Sequence, residues 1–295
     1  MSVRPRVFEN PRNLIWPLVV AAILVAGLVA RTGLTGGEIE LPGWLIRLRG
    51  IPVTLYLSHP VESYLVPVTR ILSEGQATPT EVIRSLSTEE WDSLGLSSPL
   101  TDGAVVQNLS QEGGVVRLEL AYDPQRPLPA VALAQSLGTL PEVNFVEIAM
   151  NGVPRNSDDR LLYFAAGELL VAESIVAQSP EEALSAYLRG PSVDSLMGLP
   201  EDVRLLDYRL TPTNGLLSVN LTYTPSVREL ALEQPDSIRR VLVGLIATLT
   251  AFEEVEAVRL DFEGHTRLGL GQCSDLLRAP QIQPQVLNDE RVLGG

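Results

Sequence analysis

Apolar and polar residues alternate with period two in several short runs, and the same series of runs occurs twice along the chain. Each series opens on one strand, "VTLYLS" at 53–58 and "RLLYFA" at 160–165. Leu55 and Leu57 align with Leu162 and Phe164, while Tyr56 and Tyr163 face the other way. Each series also ends alike, "PEVNFVEIAMNG" at 141–152 and "EEVEAVRLDFEG" at 253–264. Val146, Ile148 and Met150 share one face of the first closing strand, Val258, Leu260 and Phe262 one face of the second, and Gly152 and Gly264 stop them.

Between these ends the correspondence continues. "TPTEVIRSL" at 78–86 and "SPEEALSAYL" at 179–188 predict helices that start the same way. Thr78 and Ser179 are N-caps, Pro79 and Pro180 occupy the first helical position, and Glu81 and Glu182 complete two capping boxes. Val82, Ile83 and Leu86 form one apolar stripe, and Ala183, Leu184, Tyr187 and Leu188 form the other. A β-hairpin follows each helix, turning at Gly113-Gly114 and at Asn214-Gly215. A second helix comes next, weakly amphipathic at 129–138 and clearly so at 236–249, where Ile238, Val241, Leu242, Leu245 and Leu249 recur at helical spacing.

Each unit therefore predicts strand, helix, strand, strand, helix, strand: an α+β sandwich with helices over one face of a small sheet. An extra edge strand is expected at "YLVPVTRIL" 64–72 and at "ELLVAESIV" 168–176. Pro67 lacks a ladder donor, which suits an edge, and an exposed edge is a place where another copy can pair.

At 295 residues there is room for two domains, placed at 51–155 and 156–267. Ahead of them, "LIWPLVVAAILVAGLVA" at 14–30 is uncharged and about 25 Å long as a helix, at the lower end of what crosses a bilayer. Arg4, Arg6 and Arg12 precede it against Glu9 alone, so a signal anchor at 14–31 is expected, with 1–13 in the cytoplasm and the rest outside. A cleaved signal peptide is the competing reading, although Leu28 sits where cleavage after Ala30 wants a small residue. Residues 32–50 read as a linker, and 268–295, without sustained periodicity, as a flexible C-terminal tail that could equally dock a partner.

Charge narrows the partners. The net charge is −14 and all 22 basic residues are arginine. Such a chain repels polyphosphate, so nucleic acid is not expected as a partner. The single cysteine, Cys273, allows no internal disulfide and no thiol metal cluster.

Candidate chemistry is sparse. His59 lies in a Ser-His-Pro turn and His265 just past the last strand, neither within ligand spacing of another His or Cys. No serine sits in Gly-x-Ser-x-Gly. The pairs Glu89-Glu90, Glu181-Glu182 and Glu253-Glu254 read as helix-start electrostatics or solvated faces before they read as general acids. "DDR" at 158–160 and "NDE" at 288–290 lack the ligand spacing of a calcium loop. No catalytic, cofactor-binding or metal residue is assigned, and no cofactor is expected.

Both units resemble the GerMN domain of sporulation and spore-germination proteins, over roughly 51–152 and 158–264. The resemblance is carried by "LYL" followed by "YLVPVTR" in the first unit. In the second it is carried by "SPEEALSAYLRGP" at 179–191, "GLPEDVRLLDYRL" at 198–210 and the hairpin into "LSVNLTY". It implies a fold akin to the ring-building modules of secretion systems, outside the cytoplasm, in the channel complex between mother cell and forespore. The expectation is a non-enzymatic, anchored scaffold contacting other envelope or sporulation proteins, or itself in a ring. The alternative is an envelope protein that binds a ligand in the cleft between its two domains.

Overall fold

The computed structural model describes residues 50–100, 104–121, 128–154, 159–264 and 273–293. The expected anchor at 14–31, the cytoplasmic 1–13 and the linker up to residue 49 lie outside them, as do His265 and Asp158. Among the described residues no helix is long and apolar enough to cross a membrane.

The first repeat begins with β1 (Ile51–Ser58) and β2 (Leu65–Leu72), continues through α1 (Pro79–Leu86), β3 (Val105–Glu112), β4 (Val115–Ala121) and α2 (Leu128–Gly138), and closes with β5 (Phe145–Met150) and the short β6 (Val153–Pro154). The second runs through β7 (Asp159–Ala166), β8 (Leu169–Val176), α3 (Pro180–Leu188), β9 (Leu205–Thr211) and β10 (Leu216–Leu221). It then adds α4 (Pro225–Glu233), α5 (Pro235–Leu249) and β11 (Ala257–Phe262). Two short helices follow, α6 (Ser274–Arg278) and α7 (Glu290–Leu293).

Capping explains where the helices start. Thr78 Oγ1 accepts from Glu81 N and Ser179 Oγ from Glu182 N, with Pro at the first helical position in both. The reciprocal half of each expected capping box is altered. Glu182 Oε2 accepts from Gln178 N, one residue before the cap, and Glu81 turns instead to Arg84, a guanidinium one turn away. Helix α4 was not expected from periodicity, yet Thr224 caps it by accepting from Val227 N ahead of Pro225, the same signal used a third time.

Strand pairing departs from the expected sandwich. β1 and β2 pair with each other as a hairpin, and so do β7 and β8. Neither hairpin joins its own repeat's sheet. They meet instead in one four-stranded antiparallel sheet of order β1-β2-β8-β7 that both repeats share. The remaining strands form β3-β4-β5-β6 in the first repeat and β11-β10-β9 in the second. In each of these the closing strand lies parallel to its neighbour, across a helical connection.

Burial gives the reason. β1 and β7 are covered on both faces along most of their length, which a two-layer sandwich does not offer to an edge strand. Leu55, Leu57, Leu162 and Phe164 enter the large common core, while Tyr56 and Tyr163 face a second apolar cluster with Leu65, Leu161, Val131 and Ala247. The strand containing Pro67 is therefore internal, not an edge.

The repeated closing phrase now has a physical meaning. Asn151-Gly152 and Glu263-Gly264 both turn with positive φ, at 50° and 79° and at 53° and 76°. The entry is matched too: Gly114 O accepts from Asn144 N and Phe145 N, and Gly215 O accepts from Glu256 N and Ala257 N. A Cβ on Gly114 or Gly215 would strike that incoming chain at 2.5 Å and 2.6 Å. The first hairpin turns on Gly113-Gly114 as expected, both with positive φ. The second needs four residues, 212–215, because Thr211 pairs with Leu216.

Candidate functional site: the seam between the repeats

The sequence offers no reactive cluster, and among the described residues no group of three His, Cys, Asp or Glu is placed to hold a metal. What the fold does bring together is the seam where β2 meets β8.

The outer edges of the shared sheet are sealed by hydroxyls. Tyr56 N donates to Ser136 Oγ of α2 at 2.9 Å, and Tyr163 N donates to Thr248 Oγ1 of α5 at 3.0 Å. Neither edge strand keeps those donors free for another chain. The two tyrosines then cross the sheet from its outer strands. Tyr56 stands opposite Pro67 and Tyr163 opposite Ala172, both small, and their hydroxyls meet at 2.6 Å. Burial pushes the Tyr56 phenol up to about 12, partly offset by this hydrogen bond, and raises Tyr163 well above its ordinary value.

At the seam itself the ladder has a defect. Leu65 is in register with Ala172, and two residues on the same antiparallel register sets Pro67 against Leu170. Pro67 has no N–H to give there. The carboxamide of Asn288 fills the gap. Its Nδ2 donates to Pro67 O at 2.5 Å and to Leu170 O at 2.8 Å, and its Oδ1 accepts from Leu170 N at 2.9 Å. One side chain thus supplies the donor that proline lacks and the acceptor that Leu170 needs.

Neighbouring contacts fix the segment around it. Thr69 N donates to Asn288 O at 2.7 Å, and Leu287 N donates to Thr69 Oγ1 at 3.2 Å. Arg70 forks onto Glu290 at 2.7 and 2.5 Å, reaches Glu90 at 2.8 Å, and lies 4.7 Å over the ring of buried Trp91. Upstream, Gln281 exchanges both backbone hydrogen bonds with Val258 at the edge of β11, and Arg239 forks onto Asp275 at 2.7 and 2.9 Å. The reading of 268–295 as a flexible tail is corrected for residues 273–293: they dock on the chain's own repeats.

The residues weighed for chemistry are accounted for in the same way. In the "NDE" triplet, Asn288 bridges the strands, Asp289 pairs with Arg291, and Glu290 pairs with Arg70. His59 Nδ1 accepts from Glu62 N at 2.9 Å and its ring lies against Tyr64, a turn-stabilising role. Cys273 is fully buried with its thiol pushed up to about 11, chiefly by burial, and is a core side chain. Glu173, buried on β8, accepts from Ser192 N, Ser192 Oγ and Val193 N and so fastens the loop after α3. A cleft of about 250 Å³ lies between α2 and β5 on one side and Asp159, Arg160 and Glu253 on the other.

Sequence reasoning weighed Asn288 only within the "NDE" triplet as a calcium ligand, and gave Arg70 no role. "VLNDERVL" offers a polar triplet between apolar residues, but nothing local says which strand it meets.

With this arrangement described, comparison with known proteins is informative. Residues 161–268 match the model of the family Germane, described as sporulation and spore germination. The tandem GerMN domains of the sporulation protein GerM from Bacillus subtilis superpose with a TM-score of 0.57 at 18% identity, over 81% of this chain and 99% of that one. The second repeat thus carries the match to this family, and the whole chain is similar in fold to a tandem of GerMN domains. The first GerMN domain of the same Bacillus subtilis protein, taken alone, gives 18% identity and a TM-score of 0.30 over 44% of this chain and 96% of that one. No curated protein matches the sequence. The mixed α+β architecture of the chain is similar to that of tandem GerMN domains, and its second repeat matches a domain family described as sporulation and spore germination.

Proposed function

We propose that the protein is a non-enzymatic scaffold of a sporulation or spore-germination envelope complex, held to the membrane by residues 14–31 with its repeats outside the cytoplasm. The observation that carries this reading is the shared sheet. It makes the described residues from Gly50 onward one compact unit in which the two repeats share a sheet, as an assembly subunit requires. The sporulation description of the matched domain supports the same reading, and so does the solved tandem structure of a sporulation protein. Partners are other envelope proteins or further copies of the chain, and nucleic acid is not among them.

The cleft between the repeats supports a second reading, ligand binding. Gln135, Asn144, Arg160 and Glu253 converge there beside Phe145, although its volume falls below the roughly 300–1,000 Å³ of ordinary ligand pockets.

The test is localisation of the untagged chain by antibody through growth and into starvation, because a C-terminal tag would load the docked segment. Signal confined to the septum or engulfing membrane of starved cells is the expected outcome. Uniform peripheral signal in dividing cells would remove the sporulation role.

A further inference from the structure

We propose that the seam between β2 and β8 is a peptide-binding slot, specific for a bend that leads into a helix, with asparagine followed two residues later by a carboxylate, and that the chain's own Leu287–Glu290 is its resident ligand. The inference is independent of the envelope role.

The slot's polar groups belong to the repeats and not to the segment. Leu170 N–H, Leu170 O, Pro67 O and Thr69 N–H all face the place where the ladder fails, and all four are satisfied by Asn288. Without that residue the defect at Pro67 would leave them unpaired in a buried sheet, which is costly. The far end is preformed as well. Arg70 stays aimed by Trp91 beneath it and Glu90 beside it, so it presents a guanidinium to whatever carboxylate occupies Glu290's position.

The ligand, by contrast, contributes little core. Asn288 is its buried residue, Leu287 is only partly buried, and Asp289 and Arg291 pair with each other. Recognition thus rests on main-chain and carboxamide hydrogen bonds plus one ion pair. Tethering gives the resident segment an effective concentration of order millimolar, so a segment from another chain competes only when the resident one is loosened.

The experiment uses the full chain and its Asn288→Ala variant. Hydrogen exchange is read at the Leu170 and Thr69 amides, and a fluorescently labelled peptide of residues 284–293 is titrated into each. The variant should expose both amides, with exchange about tenfold faster or more. It should also bind the peptide at least tenfold more tightly than the unaltered chain, and adding Arg70→Ala should cost that binding about tenfold. Glu290→Gln, which alters only a mostly buried ion pair, should loosen the segment in the same direction by a smaller factor, and it carries the same readouts if Asn288→Ala does not fold. Unchanged exchange at Leu170 and Thr69 would overturn the proposal. So would faster exchange without peptide binding, since the seam would then be a fold contact and not a slot.

Discussion

The two repeats trace the same path but bury their closing strands to different depths. In repeat two the inward residues of the closing strand, Val258, Leu260 and Phe262, are fully buried under a fifteen-residue helix, α5, with α4 added beside it. In repeat one the equivalent helix has eleven residues, Val146 and Met150 are only partly buried, and Phe145 at the strand's start is 48% exposed. Both repeats nonetheless give a hairpin to the shared sheet, and their buried residues form one continuous cluster.

The largest expected effect tests the closest contact in repeat two. Gly244 lies where a Cβ would stand 2.2 Å from Tyr163 O, whereas Gly138 in α2 has open space around it. Gly244→Val should prevent α5 from docking on β7 and abolish cooperative unfolding. Gly138→Ala should leave stability unchanged or slightly raised. Circular dichroism melts of both variants decide it.

Cavity formation gives the next effect. Leu260→Ala should cost about 4 kcal/mol and Ile148→Ala, at the matching position in repeat one, about 2 kcal/mol, read by urea denaturation. Equal losses would show that the repeats share one core on equal terms.

The smallest effect lies where the repeats touch. Tyr163→Phe leaves the Tyr56 hydroxyl buried without its partner and should cost about 1–3 kcal/mol. The same pair sets a pH dependence. The folded-state value of Tyr56 lies above the ordinary 10.0, so the folded chain keeps a proton that the unfolded chain has already lost. Stability is therefore full below pH 10 and falls as pH rises toward about 12. Replacing both tyrosines by phenylalanine should flatten part of that alkaline decline, the remainder coming from buried Tyr187, whose phenol burial also raises.

Much of each repeat was legible because its signals are local. The helix starts at Thr78 and Ser179, the Gly113-Gly114 turn, and the opposed faces of Leu55 and Tyr56 all follow from residues a few positions apart. Helix α4 could have been read from Thr224-Pro225, had that signal been weighed above its weak periodicity. The seam could not. The missing donor of Pro67 was visible, and an edge strand was the reasonable reading of it. Its actual remedy is a side chain 221 residues away, which no window on the sequence connects to it. Nor does alternation reveal whether two hairpins stay in their own sheets or merge.

The position of Asn288 also bears on when the seam can close. Its carboxamide meets Pro67 across 221 residues and Leu170 across 118. Contacts of such sequence separation must overcome the entropy of closing long loops, whereas each hairpin and capped helix forms from neighbours. The seam should therefore close late in folding, as a latch set on strands that are already paired.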